Sequence, residues 1–95
     1  MATMDIIKTN LFSEQMPDMP PLLREVWQVA YMLRRKYSNP DFKDPDAYFK
    51  AAWSDVEFIA QTYGYDETVA SLMAEVYSDI ERQYKVVEAR RAESA

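Results

Sequence analysis

Residues 44–64 read DPDAYFKAAWSDVEFIAQTYG, and this stretch decides the fold. Asp44 followed by Pro45 pairs a helix N-cap with a proline in the first turn, where a missing N–H costs nothing. Behind them Phe49, Ala52, Trp53, Val56, Ile59, Ala60 and Tyr63 recur at steps of three and four, the period of a helix that buries one face. Gly64 stands just past the last of them, where helices end in a left-handed conformation that glycine adopts without strain. It is the one glycine in 95 residues. Antiparallel sheets draw on glycine for their tight turns, so the chain is read as all-α.

The same pattern extends in both directions. Downstream, Asp66 caps a helix that carries Val69, Leu72, Met73, Val76, Tyr77, Ile80, Tyr84 and Val87 on one face. Upstream, residues 38–43 form a loop, and residues 21–37 form a helix that starts on a proline. There Leu22, Val26, Val29, Leu33 and Tyr37 make the apolar stripe, and Arg34, Arg35 and Lys36 suit the negative end of the helix dipole. Three amphipathic helices with short connections predict a small three-helix bundle over residues 21–91. Residues 92–95 are expected to fray. Residues 1–20 are expected to form an extended N-terminal arm packed on the bundle, because Ile6, Ile7, Leu11, Phe12, Met16 and Met19 show no sustained helical period and Pro17, Pro20 and Pro21 forbid a long helix. A short helical turn near residues 10–15 is the most that segment offers.

Composition narrows the function. Cysteine and histidine are both absent, which removes disulfides, thiol chemistry, the commonest general base and the ordinary zinc sites. No cofactor is expected, and no metal: the acidic loop of Asp41, Asp44 and Asp46 lacks the glycine and spacing of a calcium loop. No phosphate-cradling glycine loop occurs, so catalysis is not expected. No run of about 18 apolar residues is present to span a membrane, and the N-terminus lacks the basic-then-apolar pattern of a secretory signal. A cytoplasmic protein is expected. Sixteen acidic against eleven basic residues give a formal charge of −5, which disfavours direct contact with nucleic acid. The spacing of Ala60 and Gly64 before a capped helix mimics a DNA-binding helix-turn-helix, but that helix offers Glu67, Thr68, Ser71 and Glu75 and no base before Arg82.

What remains is a binding module, an inhibitor, adaptor or small subunit that presents a helical surface to another protein. On a helical wheel Trp27 and Tyr31 fall off the main stripe, beside Arg24, Gln28, Arg34 and Arg35, and aromatic and arginine side chains together are what interface hot spots are made of. Arg24, Trp27, Tyr31 and Arg35 are therefore the expected contacts, unless the arm covers them. Phe58, opposite Val56 and Ala60, is expected on a second surface. An alternative is an acidic decoy that occupies the nucleic-acid groove of an enzyme, as phage or mobile-element proteins do against host defence, through Asp55, Glu57, Glu67, Glu75 and Asp79. A further alternative is self-assembly through the arm.

Overall fold

A computed structural model describes residues 2–12 and 20–94 of the chain, and those residues are all-helical. Four helices follow in order: α1 (Thr3–Leu11), α2 (Pro21–Lys36), α3 (Pro45–Thr62) and α4 (Glu67–Ser94). The starts of the three later helices and the end of α3 lie where capping chemistry places them. Pro21 opens α2, and the Asp44 carboxylate accepts the Ala47 N–H at the start of α3. Asp66 does the same for the Val69 N–H at the start of α4. At the other end of α3, the Tyr65 N–H donates to the Ala60 carbonyl and the Gly64 N–H to that of Gln61. This paired closure needs a left-handed residue after the helix, and Gly64 supplies it at φ +65°.

The longest helix, α4, is the base on which α2 and α3 both lie, while α2 and α3 approach each other far less closely. Val26, Ala30 and Leu33 of α2, Ala52 and Val56 of α3, and Val69, Met73 and Ile80 of α4 form the core together with Tyr37. Each large apolar side chain so buried stabilises the fold by roughly 1.5–3 kcal/mol. Alanines at 30, 52 and 60 are buried as well. At one end, aromatic rings extend the core. Phe49 and Phe42 lie with their ring centroids 4.9 and 4.8 Å from that of Tyr84, and the Arg91 guanidinium lies over the Phe42 ring at 4.1 Å from its centroid. Among the described residues no side-chain polar atom is buried without a hydrogen-bond partner.

Three expectations are revised. The N-terminal segment is not an extended arm packed on the rest: residues 3–11 are helical, and none of them is buried. Its prolines begin only at Pro17, so nothing breaks a helix before then. Only Met4, Ile7 and Leu11 recur there at helical spacing, too short a run to read as a sustained period. Residues 13–19, which hold the second half of the expected turn near 10–15, lie outside the described residues. Second, Leu22 leaves the apolar stripe and is mostly exposed, because the core begins one turn later at Val26. Third, α4 stays helical through Ser94, past the last apolar residue that touches the body.

The molecule is correspondingly drawn out. Its radius of gyration is 16.9 Å, against about 12 Å for a compact chain of this length.

Candidate functional site

Polar contacts at its C-terminal end set how α2 is turned on the other helices. Arg34 donates from Nε to Asp79 Oδ2 of α4 at 2.6 Å and from Nη2 to the Gln83 side-chain oxygen. Gln83 in turn donates to the Ser38 carbonyl at 3.2 Å. On the other flank, Lys36 Nζ and the Tyr37 hydroxyl both donate to Asp55 Oδ2 of α3, at 2.7 and 2.6 Å. The Tyr48 hydroxyl donates to the Tyr37 carbonyl at 2.7 Å. With Arg34 drawn to α4 and Lys36 to α3, the face of α2 that carries Trp27 and Tyr31 is directed outward.

The sequence-predicted contacts on α2 come together there. Arg24, Trp27, Gln28, Tyr31 and Met32 line a shallow hollow of about 460 Å³. Arg35 Nη1 donates to the Tyr31 hydroxyl at 3.1 Å, which orients that ring. α1 does not bury the aromatics: Trp27 is 52% exposed and Tyr31 63%. Phe58, 70% exposed, lies not on a separate surface but in the adjoining seam. Val29, Met32, Leu33, Phe58 and Ile59, with Lys36 and Asp55 at the edge, line a groove of about 400 Å³ between α2 and α3.

Met32, 66% exposed, belongs to both hollows and makes them one surface. Sequence reasoning passed it over. The available signal was the unbroken apolar run Val29-Ala30-Tyr31-Met32-Leu33, since five successive helical residues cannot all face inward. A third apolar notch, of about 340 Å³, includes Leu22, Leu23, Val26 and Tyr63 near the start of α2.

The acidic residues are arranged differently. Asp55 is held by Lys36 and Tyr37, and Asp79 by Arg34 and, at 3.6 Å, by Arg82. Glu57 accepts from Trp53 Nε1 at 2.8 Å. Of the five carboxylates singled out in the sequence, three are thus engaged within the chain, while Glu67 and Glu75 stand exposed on α4. Burial alone would raise the Asp55 pKa, but the hydrogen bonds from Lys36 and Tyr37 outweigh it and hold the group below its ordinary value. Asp79 is held low chiefly by the Arg34 hydrogen bond. Burial, then the bond to Asp55, pushes the Tyr37 hydroxyl far up, so it stays a donor.

Among the described residues no cluster of three carboxylates is placed to hold a metal ion, and no helix is long and apolar enough to cross a membrane. No protein family, curated protein or solved structure matches the chain.

Proposed function

We propose that this chain is a non-catalytic binding module: a three-helix body, α2 to α4, that presents the outer face of α2 and the α2–α3 groove to another protein. One observation carries the reading. Trp27, Tyr31, Met32 and Phe58 are each more than half exposed, and they adjoin one another through Met32. Scattered apolar residues on a surface need no explanation, but a contiguous patch of large ones rimmed by polar groups is how partner sites look. Arg24, Gln28 and Arg35 supply that rim on the α2 side. The engagement of Asp55 and Asp79 with cations of α2 favours this surface over an acidic decoy.

The test is capture from lysate of the source cells with tagged wild-type protein, Trp27→Ala and Phe58→Asp. A partner anchored by apolar contacts stays bound at high salt, where screening removes exposed ion pairs. Truncating a hot-spot aromatic is expected to weaken that capture about tenfold or more, with the helical circular dichroism unchanged. Equal capture by all three proteins refutes this surface as the site.

A further inference from the structure

We propose that α1 is a strap for the α2–α3 groove, docking there within the same chain and competing with whatever partner the groove binds. The docking stands on its own geometry; its regulatory consequence rests on reading this face as a binding surface.

Three observations converge on this occupant. First, α1 carries an apolar stripe with nothing to bury it. Met4, Ile7 and Leu11 sit at helical spacing on one side, Phe12 follows, and no residue of the helix is buried. Second, the groove has the shape and chemistry of a helix seat. α2 and α3 both lie on α4 yet stay apart from each other, and Val29, Met32, Phe58 and Ile59 line the opening between them. A helix there would complete a two-on-two arrangement at the usual spacing of 8–10 Å.

Third, the tether reaches. Residues 13–19 join Phe12 to Pro20, eight links that span up to about 26 Å. The groove around Val29 and Met32 lies only roughly 14–18 Å along α2 from Pro20. If the docked state holds about nine-tenths of the population, apparent partner affinity drops about tenfold.

Because the chain has no cysteine, a single introduced thiol can be labelled cleanly. Thr9 lies on the side of α1 away from Met4, Ile7 and Leu11, so Thr9→Cys with a nitroxide reports position without filling the contact. The full chain, isotope-labelled and spin-labelled, is diluted into excess unlabelled wild type, and the amide signals are read by NMR. The proposal expects Val29, Met32, Phe58 and Ile59 to lose more than half their intensity, and expects Leu11→Asp to restore it. The converse sample mixes isotope-labelled wild type with spin-labelled chain of ordinary isotopes, and there no loss is expected.

Unchanged amides in the first sample overturn the strap. So does loss in the converse sample, which makes a second copy the occupant, or loss that Leu11→Asp leaves in place. Failure of the strap with capture that still depends on Phe58 leaves the binding surface standing. Docking without any such capture upholds the strap and removes its regulatory meaning.

Discussion

Asp55 shows how far one residue's role lies outside its local sequence. Counted along the chain, it is one more carboxylate of an acidic protein. In the fold it receives Lys36 Nζ and the Tyr37 hydroxyl at one oxygen, joining α2 to α3 beside the groove. Lys36 and Asp55 are 19 positions apart, and no helical period connects residues on different helices, so composition registers their charges and misses their pairing. The pairing has a pH signature. Asp55 and Asp79 both titrate below the usual 3.8 when folded. A depressed carboxylate pKa contributes stability that is complete above the unfolded value and is lost as pH falls through the folded one. Urea midpoints measured from pH 6 down to pH 2.5 are therefore expected to fall below about pH 4, and Asp55→Asn should flatten part of that fall. Tyr37→Phe removes one donor from the same oxygen and is expected to cost about 1 kcal/mol at neutral pH; an unchanged midpoint would show that water replaces the hydroxyl freely.

At the scale of elements, the legible helices were those whose ends are chemically marked and whose faces are buried. Asp44-Pro45, Gly64 and Asp66 mark both ends of α3 and the start of α4 almost to the residue, and the residues expected inward on both helices are wholly or partly buried except Trp53, which is exposed. α1 carries neither mark. Its helix has no capping side chain and no buried face, so the two strongest sequence signals were both missing, and the prolines downstream outweighed the helix-compatible residues before them. The outer face of α2 was legible as aromatic and basic, but its continuity with Phe58 was not, because the groove is made by two helices meeting a third. The punctuation itself is testable. Asp66→Ala removes the cap on α4 and is expected to destabilise by about 1 kcal/mol. At Gly64 no atom lies within 4 Å of where a Cβ would sit, so Gly64→Ala meets only the strain of its positive φ, about 1–2 kcal/mol. A larger loss in thermal or urea unfolding would point to a contact that this open turn does not have.

For the whole molecule, the question is whether the apolar face of α2 and α3 serves folding or serves contact. The two roles make opposite demands on the same substitution. Met73 is fully buried at the junction of the three packed helices, and deleting its side chain leaves a cavity that costs about 2–5 kcal/mol. For a domain of this size the smaller figure alone lowers the melting temperature by roughly 8 °C or more. Trp27 and Phe58 are comparably large, yet most of their surface already meets solvent in the structure. Trp27→Ala is therefore expected to stay within about 0.5 kcal/mol of wild type, as surface substitutions do, and Phe58→Ser to lose no more than the docking of α1, about 1.4 kcal/mol where the docked state holds nine-tenths of the population. The comparison is made on three purified variants by thermal circular dichroism. A steep loss at Met73→Ala beside smaller shifts for the other two places the large outward side chains outside the folding core, as the proposed binding surface requires. If Phe58→Ser melted as early as Met73→Ala, the aromatic would be covered in solution. The strap in its seat would then be the first explanation to examine, since Leu11→Asp would lower the melting temperature in the same way only if α1 supplied the cover.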